Sequence, residues 1–335
     1  MKHPPRIKAN FFQAALLLGI TIALSCLFYL IPSKNSGASS AVSSGNVSNV
    51  NFENGIGGGN IIGSCTAGKK DLPIYCVDVS SKQKQENNAQ NLSDSASSQE
   101  SGSASDSNSN TNANSGTAAN SGAVSGAEAD SGAKYISVSF DAAWGADDTL
   151  KILDTLDKYN VKATFFMTGG WVDSFPDMVK EIYARGHDLG NHSQNHKQMS
   201  KLSANEQKTE IMTVSDKIRE LTGYEVFLFR PPYGDYNSTL INTVYSCNHY
   251  PIQWDVDSLD WKDYGVENII KTVTQHKALG NGSIILMHNG AKYTAEALDT
   301  VLSTLQSQGY TLVPISQLII KQNFHMDATG RQIAD

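Results

Sequence analysis

The sequence predicts an α/β fold: a distorted (β/α) barrel of about seven parallel strands, preceded by a membrane anchor and a disordered spacer. Three observations lead there. From Ala133 onward, short apolar runs alternate with amphipathic helical stretches. Near the N-terminus, the 21 residues from Phe11 to Ile31 carry no charge. Between these regions lies a long stretch dominated by Ser, Asn, Gly and Ala. A doubly wound sheet is the lesser alternative to the barrel.

The elements follow in order. Residues 1–10 form a basic cytoplasmic segment with Lys2, Arg6 and Lys8. At about 1.5 Å per residue, the apolar run 11–31 spans a bilayer core of about 30 Å. The positive charge before it places the rest of the chain outside the cell, as a single-pass membrane protein. A cleaved signal peptide is the rival reading, but the run ends in Tyr29-Leu30-Ile31-Pro32 without a small-residue cleavage site. Residues 32–70 read as a flexible linker and 84–132 as a low-complexity Ser/Asn/Gly insertion, too poor in large apolar groups to offset ordering entropy. The island 71–80, "DLPIYCVDVS", is apolar on both strand faces and needs cover. Cys65 and Cys76 lie where a disulfide can persist, and the sequence leaves that bridge open.

In the main domain, 134–322, "KYISVSF", "KATFFM", "DLGNH", "VFLFR", "YPIQW", "SIILMH" and "YTLVPI" read as strands. Helical periodicity fills the intervals, with "SANE" (203–206) as a capping box. The tail 323–335 is polar and carries no assignment. A net charge of −7 and a pI near 5.6 give no support for nucleic-acid binding.

Polar groups cluster just after the strands: Asp141, His192 and His196, Arg230, then Asp255, Asp257 and Asp260, and finally His288. In a β/α barrel these ends converge on one face, where active sites form. "HSQNH" sets two imidazoles four residues apart, on one face of a helical turn, able to share a cation; such a spacing also arises as a surface pair. Pro231 holds Arg230 extended, and a guanidinium beside a carboxylate keeps that carboxylate ionised. Trp254 and Trp261 fit either a core or a sugar-stacking wall.

Taken in order, Asp141, His192-x-x-x-His196, Arg230-Pro-Pro-Tyr233, Asp257-x-x-Asp260-Trp261 and Leu286-x-His288 resemble the polysaccharide deacetylase family with the NodB-homology domain, carbohydrate esterase family 4. The resemblance covers roughly 135–320, and its wording ("FDAAWG", "FRPPYGDYN", "HNGAKYT") is most similar to the sporulation-associated peptidoglycan deacetylases of Gram-positive spore formers. It implies metal-dependent de-N-acetylation of peptidoglycan or another N-acetylglucosamine-containing glycan. His192 and His196 would hold zinc, with cobalt, nickel or manganese as alternatives. Asp141 would be the general base, oriented by Arg230, and the Tyr233 N–H would support the oxyanion. His288 would protonate the leaving amine, tuned by Asp260 or by Asp257, while Trp261 and Leu286 would line the acetyl pocket.

One position departs from the family. A second aspartate usually completes the metal triad, and here it is Ala142. Three outcomes stay open: Asp141 itself ligates the metal and leaves the base role to another group, water fills the gap with weaker metal affinity and slower turnover, or the domain binds glycan without hydrolysing it. Relatives also carry a short strand just before the Asp141 strand. By that resemblance the island 71–80 docks beside 135–140, with 84–132 looped out between them.

Overall fold

The computed structural model describes residues 72–97 and 132–335. The apolar run 11–31 and Cys65 lie outside the described residues. Among the described residues, no helix is long and apolar enough to cross a membrane, and Cys76 is a buried free thiol.

Eight strands form one parallel sheet: β2 (Lys134–Ala142), β3 (Thr164–Met167), β4 (Asp188–Asn191), β5 (Leu228–Phe229), β6 (Tyr250–Pro251), β7 (Val256–Asp257), β8 (Ile284–Asn289) and β9 (Tyr310–Leu312). Their order is β6-β5-β4-β3-β2-β8-β7, with β9 joined to β2 below β8. The β-branched and aromatic content of β2, β3 and β8 suits strands covered on both faces. On β2, Ile136, Val138, Phe140 and Ala142 face one apolar core. Ile152 and Leu153 of the helix Thr149–Lys158 and Leu298 and Val301 of the helix Thr294–Ser307 complete that core. The alternate residues are polar: Ser137 bonds the Val313 carbonyl, Ser139 the Ile285 carbonyl, and Asp141 emerges at the strand end. This period-2 split puts a carboxylate on the inner face and an apolar wedge on the other.

The expected alternation of strands and helices is present, but the sheet stops short of a closed barrel, since β6 and β7 end the strand path without pairing with each other. β7 was not legible, being two residues inside the polar "WDVDSLDW". The capping box forms as read: the Ser203 N–H donates to Glu206 Oε2 at 2.8 Å, and the Glu206 N–H to Ser203 Oγ. The helix it heads, Ala204–Thr222, ends at Gly223 with φ 74°.

The island 71–80 is not beside 135–140 as expected, because β3 holds one edge of β2 and β8 with β9 hold the other. Instead Ile74 bridges Ile252 just past β6, and Cys76 bridges Ser283 just before β8. The Ile74 N–H donates to the Pro251 carbonyl at 2.8 Å, and the Gln253 N–H to the Ile74 carbonyl at 2.7 Å. The Val77 N–H reaches the Gly282 carbonyl at 3.0 Å. At Gly282, whose φ is 93°, a Cβ would collide with the Val77 carbonyl, so the approach needs glycine. β1 (Cys76–Val77) then pairs with β11 (Arg331–Ala334), which pairs antiparallel with β10 (Phe324–Met326). The tail 323–335 is therefore a folded hairpin, fixed by two bonds between the Gln332 amide and the Ile320 backbone. A helix from Val79 to Ser97 extends into the stretch expected to be an insertion, with Lys82 and Gln85 bonding the Gln317 and Asn323 carbonyls.

Ile74 and Val77 are fully buried against Leu228, Tyr250, Ile252 and Ile320. Ile74→Ala is expected to cost about 2–5 kcal/mol by urea denaturation, while shortening 98–131 leaves the midpoint unchanged. An Ile74→Ala protein as stable as the parent would remove the island from the fold's support.

Candidate active site

The strand ends deliver the site. Register pairs Asp141 on β2 with His288 on β8, and Asp257 on β7 with Leu286. His192 directly follows β4 and Arg230 directly follows β5. Together with Ala143, Trp144, His196, Tyr233, Trp254 and Trp261, residues Asp141, His192, Asp257, Leu286 and His288 line one cavity of about 470 Å³. The structure thus brings together most of the residues read from the sequence. Asp255 lies apart: its carboxylate accepts the Ile284 N–H and the Ser283 hydroxyl, and burial pushes its pKa up to about 6.

Arg230 is fully buried and anchors the floor. Nη1 meets Asp141 Oδ1 at 2.7 Å, and Nη2 donates to Ser139 Oγ at 2.9 Å and the Gln253 carbonyl at 3.2 Å. Its guanidinium lies 4.1 Å over the Phe166 ring, while Nε has no partner among the described residues. Asp141 is 5 % exposed. Burial alone would raise its pKa, but Arg230, then His192 and His288, outweigh it and hold the carboxyl below its usual range. Asp141 is therefore ionised at neutral pH.

The two histidines are not on a helical turn. Ser193 and His196 have φ of 64° and 51°, so the chain doubles back between them. Asn191 Oδ1 holds the Ser193 N–H, and Ser193 Oγ holds the His196 N–H. Buried Glu210, on the helix Ala204–Thr222, accepts both the Asn195 N–H and its amide. The turn sets the rings 4.9 Å apart, edge to face, with Tyr233 4.5 Å beyond His196. The spacing was legible, but the turn depends on Glu210, which no local pattern exposes.

His192 Nδ1 lies 2.8 Å from the Arg230 carbonyl, which can only accept, so Nδ1 carries the proton. Nε2 is left as a lone pair 3.4 Å from Asp141 Oδ2. Burial pulls His192 down to about 4, and burial likewise lowers His196. Two neutral imidazoles beside an ionised carboxylate are chemically suited to a divalent cation. Among the described residues, though, no three such groups are gathered tightly enough to enclose one.

His288 is coupled to Asp260 rather than to Asp257. Nδ1 lies 2.7 Å from Asp260 Oδ1, and the His288 N–H donates to Oδ2 at 2.7 Å. The Thr294 hydroxyl adds a third bond to this fully buried carboxylate. Burial draws the imidazole pKa down, but Asp260, then Asp141 and Asp257, raise it above the ordinary value. Asp257 Oδ1 instead accepts the Leu259 N–H, shaping a turn in which Leu259 has φ 54°.

Ala142 is fully buried in the apolar core and does not line the cavity, whereas Ala143 does. A carboxylate at 142 starts from an apolar setting and has to turn toward the imidazoles to be satisfied. Ala142→Asp is expected to lower the metal-free melting temperature by roughly 5–10 °C, for a cost of about 2–4 kcal/mol. Zinc should then raise it by more than it raises the unaltered chain. Equal zinc shifts in the two proteins would place residue 142 outside the ligand set.

Comparisons with known proteins point one way. A polysaccharide deacetylase family model matches residues 128–252. The peptidoglycan-N-acetylglucosamine deacetylase PgdA of Listeria monocytogenes is 39% identical over 186 residues, 55% of this chain but only 39% of that protein. A peptidoglycan-N-acetylglucosamine deacetylase of Bacillus cereus is 34% identical over 191 residues, 56% of this chain and 88% of that protein. Among solved structures, a CE4 family pseudoenzyme from Bacillus anthracis, BA3943, matches with a TM-score of 0.54 at 31% identity, covering 57% of this chain and 67% of its own.

Proposed function

The chain belongs to the polysaccharide deacetylase family, and from that premise we propose that it hydrolyses acetamide groups on peptidoglycan or a related N-acetylated wall glycan. One observation carries the reading: a carboxylate paired with Arg230 and an imidazole paired with Asp260 sit in register on adjacent strands, facing one cavity. Amide hydrolysis needs that pair, because an amine leaves poorly unless protonated.

Asp141 takes a proton from the attacking water, and Arg230 keeps that carboxylate oriented and charged. His288 Nε2 delivers a proton to the leaving nitrogen, with Asp260 fixing the tautomer through Nδ1. Tyr233, which lines the cavity with φ 61°, would offer its amide to the developing oxyanion. Trp261 and Leu286 bound the acetyl methyl. His192 and His196 would hold a divalent ion, which when bound supplies Lewis-acid polarisation of the acetamide carbonyl, leaving Asp141 free to act as the base. The apolar run 11–31 supports a membrane-anchored protein working outside the cell, and the motif wording supports a role in spore or wall peptidoglycan.

Asp260→Asn tests the proton donor. His288 titrates above the ordinary imidazole value of about 6.5, so the acid form persists to higher pH and is lost as pH rises through that raised value. Removing the Asp260 charge leaves burial to dominate, and the alkaline limb of kcat/KM should move to lower pH. An unmoved limb would assign the donor role elsewhere.

A second reading, glycan binding without hydrolysis, is favoured by Ala142 and by the likeness to a structure named a pseudoenzyme. Purified glycan strands treated with the full-length chain and then digested to disaccharides separate the two. Sugars lacking the acetyl group support the deacetylase; strands bound but chemically unchanged support the binding module.

A further inference from the structure

We infer that Trp144 is a positioning residue for His288 and an aromatic contact for the glycan, a role that rests on the deacetylase reading of the same cavity. Its indole stacks on the His288 ring, with centroids 5.2 Å apart and planes at 26°. The imidazole is otherwise tethered at one edge, through Nδ1 to Asp260. A ring held at a single edge can still tip about that bond. An aromatic plane against its face removes that freedom and holds Nε2 in one direction.

The loop that carries the indole is held by the end of β8. Gly145, next to Trp144, offers its carbonyl to the Asn289 amide at 3.0 Å and to Trp171 Nε1 at 3.3 Å. Asn289 Oδ1 accepts the Thr149 hydroxyl, and the Gly290 N–H donates to the Asp148 carboxylate at 3.0 Å. Gly290 has φ 86°, and a Cβ there would lie 3.3 Å from Trp144 Cβ and 3.0 Å from the Gly145 carbonyl oxygen. The two residues after His288 therefore lock the Trp144 loop over the histidine that precedes them. Packing alone does not account for the residue type, because the indole is 49 % exposed at the cavity mouth. An aromatic stacked on His288 yet left half in water suits the apolar face of a sugar ring, and Trp261, 50 % exposed on the same cavity, offers a second such surface.

The test compares Trp144→Ala and Trp144→Phe in the full chain, using N-acetylglucosamine oligomers for kinetics and isotope-labelled histidine for NMR. Trp144→Ala should lower kcat by about ten- to a hundred-fold and weaken oligomer binding, with the melting temperature little changed. Trp144→Phe should recover most of kcat. The His288 ring protons should move downfield in Trp144→Ala as the indole ring current is lost. A kcat within twofold of the parent, or unmoved His288 signals, would overturn the inference. Acetate release by the unaltered chain reports separately on the deacetylase reading. If that is absent, the His288 signals and the oligomer affinity still decide the role of Trp144.

Discussion

Arg230→Met is expected to destabilise the fold by about 3–5 kcal/mol, because it leaves the Asp141 charge buried without its partner. Methionine roughly fills the space over Phe166 but gives nothing to Ser139, the Gln253 carbonyl or Asp141. Asp141→Asn alone should cost less, since the guanidinium keeps its bonds to Ser139 and the Gln253 carbonyl. The double variant should recover part of the Arg230→Met loss, because no unpaired carboxylate remains. Urea denaturation of the four proteins closes the cycle, and a coupling near zero would mean that the pair is not what Arg230 contributes.

His288→Ala should have the largest effect on rate. Loss of a positioned general acid typically costs about 10²–10⁴-fold, and here the leaving group is an amine that must be protonated. Stability should fall as well, because the fully buried Asp260 carboxylate loses its Nδ1 partner and keeps only the His288 N–H and the Thr294 hydroxyl. Zinc affinity should hold, since His288 is not among the proposed ligands. Added imidazole, small enough to enter the emptied space beside Trp144, should restore part of the rate. A His288→Ala protein with parental kcat would remove the acid from the mechanism.

Much of this was legible because the signals are local. Alternating apolar and helical periods gave the parallel sheet, and the Ser203–Glu206 capping box formed where it was read. The strand-end rule picked out Asp141, His192 and His288, which line one cavity, and Arg230, which lies beneath it on Asp141, since neighbouring strands end at the same rim. What failed depended on distant partners. Nothing within 71–80 says that its neighbours are Ile252, Ser283 and Arg331 rather than β2. The polar tail, left unassigned from sequence, pairs with β1 and is tied down by Gln332 on the Ile320 backbone, both partners distant or hidden in the pattern. Asp255 and Asp260 look alike in "WDVDSLDW", and only the fold sends one to a backbone N–H of β8 and the other to His288. Trp144 stood in plain view beside Asp141, yet its partner lies on the neighbouring strand.

The central claim is that Asp141 and His288, around a metal held by the neighbouring imidazoles, cleave an acetamide despite the alanine at 142. Its most direct measurement is acetate released from a defined N-acetylglucosamine oligomer by the unaltered full-length chain, with zinc and with a chelator. The account predicts zinc-dependent release with a bell-shaped pH profile, the acid limb set by Asp141 and the alkaline limb by His288. Oligomer bound with no acetate released, across divalent metals and pH, would contradict it.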